Sequence, residues 1–432
     1  MPFLPHLRSR LLRGAVAATL AALALAFAFG CSRAGTGVGA APSSPAPTVA
    51  AVSGTLTGVS CTSSTCVAVG SYGRTSVGTV PVAEATRPLA EFWDGSHWRA
   101  QQPPVPPEAA VAMTVLQSTL TSVSCTSPSA CSAIGSYTKG HGKVPFAETW
   151  DGTTWTVHPI AQPTDATSTE LHRVSCTSPT ACTAVGSWTR RPDAVLSSTE
   201  PGAEPLAERW DGRAWTLDDV PAPTDSRGSH LDGLACPAPT ACTAVGTALD
   251  ADPAVTSEHA FATAWDGNHW TTQQLDEPAG ASSTLLTALS CTTAPWCTAI
   301  GFAVTGTNVA ALTETTDGTS WHTLNPTAPT GSGATLTDIS CGGATDCVGV
   351  GSTTATTGIR PAAEILDATA RTNRPPLAPP GAQRAYFTGV SCAGPAHCMA
   401  VGEAVPSTTV AMTQQWDGRR WTLEPVPMPT AA

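Results

Sequence analysis

An all-β fold, a seven-bladed β-propeller of four-stranded antiparallel blades, is predicted by three observations on this 432-residue sequence. A unit built around a close cysteine pair recurs seven times, and five copies also carry W-D-G-x-x-W. The first cysteines of successive pairs lie 50 to 64 residues apart, a period that holds several short strands. Charged residues are only 12% of the chain while Gly and Pro number 38 each, which suits turn-rich β structure better than long helices.

The copy from Leu171 to Trp215 shows the unit most clearly. Strand a is the run before the first cysteine, as in Leu120 to Cys125 or Leu336 to Cys341. Strand b follows the second cysteine and ends in glycine, as in Cys131 to Gly135 and Cys347 to Gly351. Strand c leads into the Trp-Asp-Gly, as in Phe146 to Trp150, and strand d starts at the next Trp, as in Trp155 to His158. None of these runs alternates cleanly between apolar and polar, as expected of blades covered on both faces by their neighbours. The blades are placed near 55–102, 119–159, 170–219, 230–274, 285–325, 335–373 and 386–426, within a propeller of residues 54–428.

Asp-Gly favours a hairpin because the turn needs positive φ. Whether the loop holds two residues or four, the Trp pairs Trp93/Trp98, Trp150/Trp155, Trp210/Trp215, Trp265/Trp270 and Trp416/Trp421 fall on one hairpin face. Unit five has Thr316 for the first Trp but keeps Asp317-Gly318 and Trp321, and unit six reads Leu366-Asp367-Ala368 with Arg371. A Glu stands two residues before the first Trp position in five units: Glu91, Glu148, Glu208, Glu314 and Glu364.

This order of strands, with a glycine closing the second and a Trp opening the fourth, resembles Kelch-type propellers over residues 54–428. Kelch repeats end the second strand in Gly-Gly, where this chain has Gly70-Ser71, Gly135-Ser136 and Gly186-Ser187. The Asp-to-Trp turn also resembles the Asp-box of sialidase-type propellers, shortened by one residue. Both resemblances imply the fold and leave the function open.

Fourteen of the 15 cysteines form the pairs Cys61/Cys66, Cys125/Cys131, Cys176/Cys182, Cys236/Cys242, Cys291/Cys297, Cys341/Cys347 and Cys392/Cys398. Redox C-x-x-C is excluded by spacing, and zinc would need a second pair beside each, so a disulfide stapling every a–b turn is expected. Cys31 is left over. Before it, Arg8, Arg10 and Arg13 precede an apolar run from Ala15 to Gly30, the pattern of an export signal over residues 1–30. Ala28-Phe29-Gly30-Cys31 resembles a bacterial lipobox, which implies lipidation at Cys31 and a flexible tether over 31–53. Cleavage after Ala26-Phe27-Ala28, giving a secreted protein, and an uncleaved anchor are the alternatives.

A formal net charge of −11, with Lys139 and Lys143 the only lysines, speaks against nucleic-acid binding. The repeated Trp residues are expected to fill the wedges between blades. Trp188 and Trp296 stand outside the periodic positions and are the candidate ligand contacts. The recurrent Asp and Glu are expected to form turns and caps, since catalytic carboxylates belong to one site and not to every blade. Tyr72, Tyr137 and Tyr386 are the only tyrosines, no arginine position repeats to mark a sialidase triad, and His97 and His269 fall in the Trp-flanked turns. No catalytic residue, metal site or cofactor is assigned.

Strand alternation puts the a–b and c–d turns on one face and the b–c and d–a connections on the other. The second set varies, from 71–88 and 187–205 to the short 302–310, so recognition is expected there. The expected function is a monomeric, non-enzymatic binding scaffold outside the cytoplasm, held to the membrane by its lipid alone, with a protein or glycan partner. The alternatives are a carbohydrate-binding or glycoside-hydrolysing propeller and a structural envelope component.

Overall fold

A computed structural model describes residues 52–74, 85–110, 117–190, 202–255, 257–293, 295–324, 334–343, 346–356, 358–366, 371–406 and 408–429. The signal, Cys31 and most of the tether lie outside the described residues, as do 75–84 and 191–201 of the two longest b–c connections.

The chain forms seven four-stranded antiparallel sheets arranged in a ring, a seven-bladed β-propeller. In blade one, strand a is Val52–Thr62, b is Thr65–Arg74, c is Thr86–Trp93 and d is Trp98–Gln101. The later blades span Ser118–Pro159, Ser168–Asp218, Ser226–Gln273, Ser283–Leu324, Ala334–Asn373 and Arg384–Glu424 in the same order. Each sheet is contiguous in sequence, so blade seven meets blade one by packing and no strand is exchanged among the described residues.

All seven expected cysteine pairs are disulfide-bonded, with Cα atoms 3.9 to 4.0 Å apart across the a–b hairpins. Seven disulfides point to an extracellular or periplasmic protein. The two cysteines of a pair differ in surroundings, which their description as turn staples does not capture. The first, from Cys61 to Cys392, is half-buried. The second opens strand b and is buried: Cys66, Cys131, Cys182, Cys242, Cys297, Cys347 and Cys398 are 2 to 7% exposed. Cys66 packs in one cluster with Met399 and Val401 of blade seven, Cys297 with Val245 and Ala262 of blade four, and Cys398 with Val348 and Val350 of blade six. These cysteines are therefore interblade core residues as well as turn staples. No helix among the described residues is long and apolar enough to cross a membrane.

The Trp-flanked loop holds four residues, because Trp93 pairs directly with Trp98 and Trp150 with Trp155. The Asp at its first position folds back on the turn. Asp151 Oδ1 accepts the Thr153 and Thr154 N–H groups at 2.8 Å each, and the same pair of bonds recurs from Asp94 to Asp417. The Ser96 hydroxyl, 2.7 Å from Oδ1, and the His97 and Ser96 N–H groups together hold Asp94 down to about 2. The Trp rings stack as tilted pairs 5.3 to 5.8 Å apart and are buried between blades, where they serve as wedges.

The glutamates before the first Trp are not turn or cap residues. Glu91, Glu148 and Glu208 are 0% exposed, because alternate residues of strand c face the neighbouring blade together with the Trp pair. Desolvation pushes each of the three up to about 8. Blade seven carries Gln414 at this position, also fully buried. In blade six Arg371 replaces the second Trp and its Nε bonds Glu364 Oε2 at 2.6 Å.

Two positions of strand a stitch blades to their neighbours, both of them in five of the seven blades. The Ser before the first cysteine accepts the N–H of the following blade's cysteine, as from Cys125 to Ser60 (2.9 Å), Cys176 to Ser124 (2.9 Å) and, closing the ring, Cys61 to Ser391 (2.9 Å). Blade four has Ala235 there. The second stitch comes from a β-bulge after the leucine of strand a, such as Leu56/Gly58 and Leu336/Asp338. It leaves one unpaired residue per blade and turns it toward the axis. The glycine closing strand b follows from this crossing: a Cβ on Gly70, Gly135 or Gly186 would sit 2.0 Å from a strand a carbonyl oxygen.

Candidate functional site

The bulge residues are Thr57, Thr121, His172, Asp232, Thr287, Thr337 and Thr388. Most of the threonines do one job. Thr57 donates to Leu120 O (2.7 Å), Thr121 to Leu171 O (3.0 Å), Thr337 to Phe387 O (2.9 Å) and Thr388 to Leu56 O (2.6 Å), each tying a blade to the next. The ring they form lines the central channel.

Blades three and four break the pattern, and blade six keeps Thr337 but follows it with Asp338. His172 keeps the stitch, its Nδ1 donating to Leu231 O at 2.9 Å, and the same nitrogen lies 3.0 Å from Asp232 Oδ1. Asp232 has no proton to donate and accepts a second contact from His230 Nε2, 2.8 Å from Oδ2. One residue further on, Arg173 of blade three reaches Asp338 of blade six, its terminal nitrogen 2.8 Å from Oδ1. The other oxygen, Oδ2, accepts the Val390 N–H at 2.9 Å. Arg173 and Asp338 therefore bridge the channel.

Burial disfavours charge on His172, but the hydrogen bond and charge of Asp232 outweigh it and raise its pKa. Burial likewise acts against the Asp232 carboxylate, and His230 and His172 together hold it well below the usual range. For Asp338 burial prevails over Arg173 and the Val390 N–H and raises the pKa. No group of three His, Cys, Asp or Glu side chains among the described residues is arranged to hold a metal ion.

A cavity of about 410 Å³ opens beside this cluster. Thr335, Leu285 and His230 line it from the starts of strands a, and Thr247 and Phe302 from the outgoing parts of strands b. Both ends belong to the face of the b–c and d–a connections. Blades three and four contribute His172, Arg173, His230, Asp232 and Thr247, and blades five and six contribute Leu285, Phe302 and Leu336 beside Thr287, Thr335 and Thr337.

Of the two Trp candidates, Trp296 is 59% exposed in the disulfide loop of blade five, on the opposite face from this cavity. Trp188 is only 7% exposed and Arg190 covers its ring at 4.6 Å. Strand b runs on through Thr189, so Trp188 packs with the interblade core and does not stand free for a ligand. The disulfide cysteines are not ligand positions either: Cys66, Cys297 and Cys398 are buried between blades, because the residue that opens strand b faces the neighbouring blade. The channel residues were missed as a site, though the signal is in the sequence. Aligned on the first cysteine, the copies read L-T-G-V-S-C, L-T-S-V-S-C, L-H-R-V-S-C, L-D-G-L-A-C, L-T-A-L-S-C, L-T-D-I-S-C and F-T-G-V-S-C. The charged exceptions, His172, Arg173, Asp232 and Asp338, are the residues that meet.

No protein-family profile matches the chain, and no curated protein does. Solved structures similar to it share the fold at low identity. One titled "YCF48 bound to D1 peptide" is 13% identical, covering 89% of this chain and 96% of the other, with a TM-score of 0.43. A protein of unknown function from Dyadobacter fermentans is 11% identical over 84% of this chain and 95% of the other, with a TM-score of 0.46. A puromycin hydrolase mutant complexed with PGG is 9% identical over 86% of this chain and 53% of the other, with a TM-score of 0.50.

Proposed function

We propose that the protein is a non-enzymatic binding module of the bacterial cell surface, tethered outside the cytoplasmic membrane by a lipid on Cys31. Its ligand is taken on the b–c and d–a face, at the mouth of the central channel. The observation that carries this reading is the convergence of His172, Arg173, Asp232 and Asp338 at the places where the internal repeat is broken. A scaffold repeated sevenfold has no structural need for a charged pair bridging its axis, since the other blades close the ring with threonines. Binding is favoured over glycoside hydrolysis because each carboxylate is held by internal donors, Asp232 by His172 and His230 and Asp338 by Arg173 and the Val390 N–H.

The test is binding of the oxidised protein to arrayed glycans, peptides and small metabolites, with each bound compound then assayed for turnover. The expected result is saturable binding without turnover, weakened by His172→Thr with Asp232→Thr and untouched by Ser129→Ala in a disulfide loop. Turnover, or loss of binding through Ser129→Ala alone, overturns the proposal. The anchor is checked by intact mass and detergent-phase partitioning, both of which Cys31→Ala should abolish.

A further inference from the structure

We infer that the channel mouth binds a small organic acid, holding its carboxylate on blades three and four and a short apolar body against blades five and six. This rests on the channel reading above and gives it a ligand class.

The hydrogen-bond inventory points to the charge of the ligand. Each oxygen of Asp232 and Asp338 already accepts one internal contact. Asp232 Oδ1 and Oδ2 meet His172 and His230, and Asp338 Oδ1 and Oδ2 meet Arg173 and the Val390 N–H. A cationic ligand would compete with these internal donors for the two carboxylates. The donors left over are on Arg173 and Thr247, with His172 Nε2 joining them when that ring is protonated. Arg173 spends one terminal nitrogen on Asp338, and a guanidinium carries five N–H groups. His172 makes both of its contacts through Nδ1 and leaves Nε2 over. The Thr247 hydroxyl, which can donate, is buried without a partner, as is His230 Nδ1, the acceptor nitrogen of a ring whose Nε2–H serves Asp232; both side chains are 1% exposed and line the cavity. Buried polar atoms of this kind ordinarily find a partner. Glu170, the remaining acid acting on His172, is not part of the cavity lining.

The opposite wall sets the body of the ligand. Where the other blades place Thr55, Thr119, Glu170, His230, Thr335 and Tyr386 before the leucine of strand a, blade five has Leu285. After the glycine of strand b, where the other blades have Ser71, Ser136, Ser187, Thr247, Ser352 and Glu403, the same blade has Phe302. The two apolar substitutions of blade five share the cavity with the charged substitutions of blades three and four. The cavity, about 410 Å³, suits a compact molecule.

Benzoate, 3-phenylpropanoate and 4-methylpentanoate, each beside its primary amide and its amine, are titrated into the full oxidised protein and followed by ligand-observed NMR and calorimetry. The acids are expected to bind saturably, and the amides and amines at least about tenfold more weakly. His172→Thr restores the residue type of the other blades, so the fold is retained while affinity for the acids drops by about tenfold. Phe302→Ser, likewise a reversion, weakens 3-phenylpropanoate more than benzoate. Absence of binding by all three acids overturns the inference. Equal binding of amides or amines, lost in His172→Thr, overturns the ligand class and leaves the channel reading standing. Acid binding unchanged by both reversions overturns the inference and the channel reading together.

Discussion

Arg173 of blade three and Asp338 of blade six meet across the central channel at 2.8 Å, 165 residues apart in sequence, with side chains 19% and 12% exposed. The pair joins blades that are not neighbours, in a ring otherwise held by contacts between adjacent blades.

Removing one partner should be costly and removing both should not. Asp338→Ser keeps an acceptor for Val390 N–H, as Ser122 does for Val174 N–H at 3.2 Å in blade two. Asp338→Ser therefore leaves chiefly an unpaired guanidinium, and a loss of about 3 kcal/mol is expected, with most of it recovered on adding Arg173→Ser. Denaturant unfolding of the two single variants and the double variant measures this. Additive losses would show that the pair is not coupled.

The buried glutamates make stability fall as pH rises. Glu91, Glu148 and Glu208 keep their protons to about 8 when folded, against 4.5 for an ordinary glutamate. Between those values the folded state holds protons that the unfolded state has released, so unfolding becomes easier with each step upward in pH. The melting temperature should decline from pH 5 to pH 8.5. Replacing all three by Gln, the residue blade seven already buries at 414, should flatten that decline. A wild-type profile without slope would refute the assignment.

Ala235→Ser should add the missing stitch between blades four and five. Where the serine is present it accepts the next blade's cysteine N–H at 2.9 to 3.1 Å. A gain of about 1 kcal/mol is expected, and a loss of similar size for Ser124→Ala. Thermal unfolding of the two variants decides whether the serines act as drawn.

Each disulfide closes a ring of only a few residues, with cysteines 5 or 6 apart in sequence. Replacing Cys125 and Cys131 together by Ala, which keeps the buried second position apolar, should cost about 2 kcal/mol on the chain-entropy account. Full reduction should lower the melting temperature by a larger amount. Equal melting temperatures in oxidised and reduced protein would assign the staples no thermodynamic role.

The blade count, the strand order, the disulfide pairing and the Trp wedges were legible in the sequence because each is local and written seven times. Cys125 and Cys131, or Trp150 and Trp155, meet within one hairpin, so spacing alone brings them together. Burial was not legible in the same way. Spacing pairs Cys66 with Cys61 and Cys398 with Cys392, yet only the neighbouring blade decides that Cys66 and Cys398 are the covered partners. The glutamates misled because spacing places Glu148 beside a turn and says nothing of the blade that covers it. Trp188 misled because strand b runs further than its glycine suggests.

By itself the sequence determined a period and hence a scaffold, since short-range pairing and turn chemistry repeat with it. The tertiary structure alone decided which departures from the repeat belong together. Packing blade three on blade four brings His172 to Asp232, and curving the blades into a ring brings Arg173 to Asp338, contacts that no pattern within a single hairpin encodes.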